Sequence, residues 1–259
     1  MIVNVGDSED DTLGLIESIP SPKIKVVESR WDPLLRSGGR VLAAQADLAL
    51  SHCAGDWAFY IQADEVLHER DHPIVREAMA RYYNDPITEG LLFDFIHFYA
   101  NYQTLGVGRR WYRREVRIVR TGLGIEAWRD AQGFRRNGHK LRVRPSGANI
   151  YHYGWVREPG LMKTKIVEMA RLWHDDRTVE ARYMPGGPAF RYDTGGRLSP
   201  FRGSHPAVMA ERVTASLRNG PVTPSPPRRG SFRDRLLDWL DERFGWHPGE
   251  YRNYELLRD

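Results

Sequence analysis

A chain of 259 residues with 41% apolar side chains, 8 Trp, 12 Tyr and 9 Phe can bury a sizeable core, which excludes wholesale disorder. Its formal charge of +4 is only mildly basic, and the basic side is almost all Arg, with Lys confined to Lys23, Lys25, Lys140, Lys163 and Lys165. Arg is the better fork for phosphates and carboxylates, so an anionic ligand is one reading and a G- and C-rich coding bias is the other. Cys53 is the single cysteine, which excludes an internal disulfide framework or thiolate zinc site and points to a reducing cytoplasm. No stretch approaches the roughly 18 to 20 apolar residues of a membrane span, and the first five residues lack the features of a signal peptide.

In chain order, Ile2 to Val5 predicts a short strand that stops at Gly6-Asp7-Ser8. Asp11-Thr12 leads into a helical stripe of Leu13, Leu15, Ile16 and Ile19, ended by Pro20 and Pro22. Ile24 to Val27 reads as the next strand. Beyond a Gly38-Gly39 break, Leu42, Ala46, Ala49 and Cys53 share one helical face. Trp57 to Ile61 is a nearly continuous apolar run, the mark of a strand buried on both faces. Pro73 then opens a helix that runs to Tyr82. This alternation predicts a mainly parallel, Rossmann-like α/β sheet with helices on both faces. Ligands of such sheets bind at the carboxyl ends of the strands, which makes Gly6-Asp7-Ser8 and Gln62-Ala63-Asp64-Glu65 candidates for one shared cleft.

After Gly90 the pattern changes. Leu91 to Tyr99 and Glu115 to Val119 read as strands, joined by a loop carrying Arg109, Arg110, Trp111, Arg113 and Arg114. Leu141 to Val143 and Asn149 to Tyr153 are two further strands, followed by helices from about Gly160 to Trp173 and from about His205-Pro206. Pro221 to Pro227 reads as a linker. Ser231 to Phe244 is an amphipathic helix with Phe232, Leu236, Leu237, Trp239 and Leu240 on its apolar side. Its polar face mixes acids with Arg, so docking on the protein's own sheet or a second subunit is favoured over a membrane surface.

The acidic end of the third strand carries the strongest chemical signal. A carboxylate there suits a hard divalent cation with open positions for diphosphate oxygens, while a merely solvated strand end is the alternative. Tyr60-Ile61-Gln62-Ala63-Asp64-Glu65 resembles the Asp-x-Asp region of family 2 glycosyltransferases, where a strand ends in Asp-Ala-Asp-Asp or Asp-Ala-Asp-Glu. Gly6-Asp7-Ser8-Glu9-Asp10-Asp11-Thr12 is similar to that family's earlier acidic turn, and Gly55-Asp56-Trp57 to its lead-in to the third strand. Arg117-Ile118-Val119-Arg120 and Ile150-Tyr151-His152-Tyr153-Gly154-Trp155 are similar to elements of a bacterial subgroup. Two departures stand out: Gln62 replaces the usual first Asp, and the chain opens where family members already have an upstream strand and helix. The start is therefore expected to be misassigned, or the chain to be a fragment.

The resemblance implies a GT-A fold over residues 1–218, with a nucleotide-sugar half to about residue 90 and an acceptor half beyond it. A Pro-rich linker at 219–230 and a helix and tail at 231–259 complete the expected organisation. The implied activity is an inverting transfer of a sugar from a nucleotide-sugar donor to a glycan, lipid-linked or small-molecule acceptor, assisted by Mn or Mg. Asp64 is the implied principal metal ligand, with His152 completing the site; a packed aromatic-cluster histidine is the alternative, and His205 is the runner-up. Asp7, Ser8, Asp10, Gln62 and Asp64 are expected to bind the nucleotide sugar. Asp130 is the first choice for the base that deprotonates the acceptor and Glu126 the second, against ordinary salt bridges for both. Arg109, Arg113 and Trp111 are candidates for diphosphate or acceptor contact, against a solvated loop and core packing. His97 is expected to line a sheet face. The resemblance leaves open a homodimer and contact with the inner face of the membrane. A degenerate, non-catalytic binding module is the rival reading; a nucleic-acid binder ranks lower because no motif accompanies the charge.

Overall fold

The computed structural model describes residues 1–8, 10–193, 196–225, 232–245, 247 and 249–258, and excludes the side chains of residues 232–235. Glu9 of the expected acidic turn, Pro226 and Pro227 of the expected linker, Ser231, and the side chain of Phe232 lie outside these residues.

Strands β1 (Ile2–Val5) and β2 (Lys25–Glu28) flank helix α1 (Thr12–Glu17) and pair in parallel, Val3 opposite Val26. Helix α2 (Arg40–Ser51) packs on them through the Asn4 amide, which donates to the Gln45 carbonyl and side chain at 2.9 and 2.8 Å. The larger sheet begins with β3 (Trp57–Phe59) and β4 (Glu65–Leu67), continues past α3 (His72–Arg81), and takes in β5 (Gly90–Tyr99), β6 (Thr104–Gly106) and β7 (Arg114–Arg120). A separate three-stranded antiparallel sheet follows, made of β8 (Ile125–Trp128), β9 (Gly133–Arg136) and β10 (His139–Lys140). The long β11 (Arg142–Trp155) returns through the centre of the larger sheet. Beyond it come α4 (Pro159–Arg171), α5 (Asp176–Arg182), β12 (Leu198–Pro200), α6 (Ala210–Arg218), α7 (Phe232–Phe244) and β13 (Glu255–Leu256). β13 adds in parallel to β11, and Arg197 holds Asp241 of α7 at 2.8 Å, so the tail lies on the protein itself.

The protein is a mixed α/β fold, and its sheet is mixed where a mainly parallel one was expected. β5–β11 and β11–β13 are parallel, whereas β3–β7, β5–β7, β4–β11, β5–β6 and β6–β12 are antiparallel. Antiparallel neighbours can be joined by short turns, whereas the parallel β5–β11 pair is joined through β6 to β10 with no α-helix between them. The chain there reverses by short turns, such as Asn137-Gly138 between Arg136 and His139, both at positive φ as a tight hairpin requires. The run Trp57 to Ile61 is also not buried on both faces: β3 is an edge strand, and Phe59 and Ile61 are 37% and 40% exposed. The two expected strands around 141–153 are one, because Gly147 at φ +78° absorbs a register shift between Pro145 and Asn149.

Alternation along β5 covers both sheet faces. Leu92 joins Ala43 and Ala46 of α2 with Val116, Phe134 and Leu141 on one side. Leu91 and Phe93 join Val75 and Ala78 of α3 with Ile118 and Ile150 on the other. Between strands, Arg117 of β7 is buried and makes a two-pronged ion pair with Glu65 of β4, Nε to Oε2 at 2.9 Å and Nη2 to Oε1 at 2.7 Å. Its Nη1 donates to the carbonyls of Val116 and Gln132, and Phe95 and Tyr60 stack about the guanidinium. Burial opposes the charge, yet the attraction of Glu65 raises the Arg117 pKa above its ordinary value. Removing one partner of such a pair leaves the other uncompensated. Arg117→Met is therefore expected to cost about 3–5 kcal/mol in urea unfolding, against at most about 1 kcal/mol for Arg114→Ala in the half-exposed Arg114–Asp94 pair.

Candidate functional site

Strand pairing builds the site. In the register of β4, β11 and β5, Glu65 lies opposite His152, and His152 opposite His97, so three ionisable residues form one row across three strands. Asp64 immediately precedes the row. Its carbonyl accepts from Tyr153 N at 2.8 Å, which fixes its backbone to β11 one step beyond His152. Asp64 Oδ2 then lies 3.8 Å from His152 Nε2 and 2.9 Å from Lys165 Nζ, which reaches down from α4. Gly154 permits this approach: a Cβ there would stand 2.5 Å from Asp64 Oδ2 and 2.6 Å from His152 Nε2.

Hydrogen bonding sets the His152 tautomer. His97 Nε2 lies 2.6 Å from the Tyr112 carbonyl, which only accepts, so Nε2 carries the proton. Burial and the neighbouring His152 push the His97 pKa down to about 3, leaving the ring neutral with an accepting Nδ1. His152 Nδ1, 2.9 Å away, must donate to it. The neutral His152 ring therefore turns the bare lone pair of Nε2 toward Asp64. Burial lowers the His152 pKa, against the pull of Asp64 and Glu65. Burial also raises the Asp64 pKa, but the Lys165 ammonium, by its charge and its hydrogen bond, outweighs it and holds the carboxyl below its ordinary range. A carboxylate oxygen and a lone pair thus face each other at 3.8 Å, with the Lys165 ammonium on the same oxygen.

Other expected site residues lie around this centre or apart from it. Gln62 and Glu65 are spent on structure: the Gln62 amide side chain donates to Tyr60 Oη, and Gln62 N to Glu65 Oε2 at 3.2 Å. Asp130 sits in the β8–β9 turn between Arg129 and Ala131, both at positive φ (59° and 60°), a strained setting for non-glycine residues. Its charge contributes to raising the pKa values of Tyr60 and Glu115, and its Cβ lies against Gly39, which Trp173, just past α4, also borders. Glu126 instead lines a separate cleft with Asp47, Leu50 and Arg120. Asp7, Ser8 and Asp10 border a cleft of about 390 Å³ together with Glu28 and Arg30. There Asp7 accepts from Trp31 N at 2.9 Å and Asp10 caps Thr12. No hydrogen bond or ion pair among the described residues joins this cleft to Asp64. Arg113 is held by Glu250 of the tail at 2.6 Å, Trp111 packs on His97 at 5.0 Å, and Arg109 has a partner of its own. His205 bonds Tyr153 Oη at 2.9 Å, away from the metal-ligand role considered for it.

No family model matches this chain. No curated protein is significantly similar to it. What the cluster can do follows from its donors. Among the described residues, no group of three or more His, Cys, Asp or Glu could cage a metal alone. Asp64 Oδ2 and His152 Nε2 make a two-donor edge, which suits an ion that keeps its waters and takes further ligands from phosphate oxygens. Lys165 and the His97 relay were not singled out from the sequence, although Lys165 is one of only five lysines and His97 and His152 both sit in aromatic strands.

Glu115 gives the region a pH dependence. Burial raises its pKa from 4.5 to about 7, against the opposing pull of Arg117 and a hydrogen bond from Gln132. A raised folded-state pKa means stability that is full below pH 4.5 and lost as the pH climbs through 7. Glu115→Gln is expected to match the parent in urea unfolding near pH 4.5 and to exceed it by on the order of 3 kcal/mol at pH 8. Parallel pH profiles for the two proteins would contradict this.

Proposed function

We propose that the protein is a nucleotide-sugar-dependent glycosyltransferase of the GT-A type, with Asp64 and His152 facing the donor diphosphate. The observation that carries the reading is the carboxylate at the end of the β3–β4 segment beside an oriented imidazole lone pair, 3.8 Å apart. Asp64 stands where the family 2 resemblance expects the metal-binding carboxylate, and His152 where it expects the late histidine. Asp64 and His152 are the residues that would hold a Mn or Mg ion, whose chemistry would be to neutralise charge on the departing nucleoside diphosphate.

In the transfer, a bond forms from the acceptor hydroxyl oxygen to the anomeric carbon as the bond to the β-phosphate oxygen breaks. The electron pair goes to that phosphate oxygen, and the hydroxyl proton goes to a carboxylate base. Asp130 is the candidate base: it is half-buried on a strained turn, against Gly39 and close enough to Glu115 for its charge to be felt there. Glu126 faces another cleft and is the weaker choice. A binding module without turnover is the second reading, favoured by the commitment of Gln62 to Tyr60 and of Glu65 to Arg117.

A thermal-shift panel of nucleoside diphosphates and nucleotide sugars, with and without Mn, tests the proposal. At least one ligand is expected to raise the melting temperature further when Mn is added. Asp64→Ala should erase that increment while the fold is kept, and Gly154→Ala should do the same by forcing the two donors apart. An Mn increment that survives in both variants would move the site elsewhere.

A further inference from the structure

Lys165 has no role in a site described by Asp64 and His152 alone. Its ammonium donates to Asp64 Oδ2 and to the Gly154 carbonyl, each at 2.9 Å. An ammonium carries three donors, and the third has no partner among the described residues. Lys165 and Asp64 are 27% and 29% exposed, so the pair is open to solvent and to a ligand on one side.

A lysine serving only to tie α4 to the sheet could pair with any carboxylate at the rim. This one sits on the oxygen that also faces the His152 lone pair, the position a bound cation would take. The other charges nearby are already spent. Arg117 is closed by Glu65 and two carbonyls, and His152 spends its Nδ1 proton on His97. Lys165 is the one lysine or arginine paired with Asp64 among the described residues. Its anchor is also firm, because Gly154 O is part of β11 and the ammonium cannot leave Asp64 without losing that bond as well. An ammonium that bridges a carboxylate and a phosphate oxygen does the work of a divalent ion with one charge fewer, as a compact point charge well suited to phosphate.

We propose that Lys165 is the resident cation of this site, binding a diphosphate oxygen through its free N–H, so that a nucleoside diphosphate is held without a divalent metal. This rests on the nucleotide-sugar reading above and deepens it. Mn or Mg then adds to binding through Asp64 and His152 and is not required for it. α4 then links donor and acceptor chemistry: Lys165 meets Asp64, and Trp173, just past the end of the helix, borders Gly39 together with Asp130.

The test is calorimetric titration of the full chain with uridine, guanosine, adenosine, cytidine and thymidine diphosphates, once in EDTA and once in Mn. The expected result is that the tightest binder in Mn also binds in EDTA, weakened by no more than about tenfold. Lys165→Met should lose the metal-free binding by at least about tenfold, and Lys165→Arg should restore most of it. Thermal melts of both variants separate loss of the ligand contact from loss of the fold, and a tie that is merely structural would not distinguish EDTA from Mn. Binding in Mn alone, unchanged or tightened in Lys165→Met, would overturn this inference and leave the function standing. No binding of any diphosphate under either condition would overturn both.

Discussion

The buried Arg117–Glu65 pair is the interaction on which the rest of the site depends. Two charges taken out of water are costly unless every prong is answered, and here the guanidinium is satisfied by a carboxylate and two carbonyls. The pair ties β4 to β7 although the two strands are not neighbours in the sheet. With Glu65 fixed opposite His152, the Asp64 carbonyl accepts from Tyr153 N of β11, and the Asp64 carboxylate arrives beside His152. The acidic pair Asp64-Glu65 is thus divided by burial: one carboxylate is locked in structure and the other is left half-exposed beside His152 and Lys165.

A second constraint acts through the backbone of β11. Its bulge at Gly147 lets one strand pair with β5 along one edge and with β13 and then β4 along the other while still delivering His152 and Gly154 to the end of β4. The relay from the Tyr112 carbonyl through His97 to His152 then decides which nitrogen faces Asp64. Ring orientation, tautomer and approach distance are all set before any ligand binds. That is the preorganisation expected where a charge must be stabilised as it develops.

Much of the fold was legible in the sequence because it rests on local signals. The helical stripe of α2, the Pro73 start of α3 and the apolar runs of β5 and β7 all lie where periodicity puts them. The strand pairing was less legible. Alternating strands and helices in the first ninety residues suggest parallel neighbours, but β3 joins β7, and that pairing depends on residues sixty positions away. The Asn137-Gly138 turn is a hairpin signal, but its flanks, Arg135, Arg136, His139 and Lys140, lack the apolar alternation that marks a strand. Asp64 and His152 could be named from motif order. Lys165 and His97 could not, since their meaning comes from α4 folding back on β11 and from the register of β5, neither of which leaves a local trace.

The account stands or falls on whether Asp64, His152 and Lys165 together receive a diphosphate. The most direct measurement is a crystal structure of the chain with a nucleoside diphosphate and Mn. The account predicts a phosphate oxygen on Lys165 Nζ, the ion against Asp64 Oδ2 and His152 Nε2, and the Arg117–Glu65 pair intact beneath them. A diphosphate seated elsewhere, for example in the cleft of Asp7 and Arg30 with Asp64 and Lys165 still closed on each other, would contradict it.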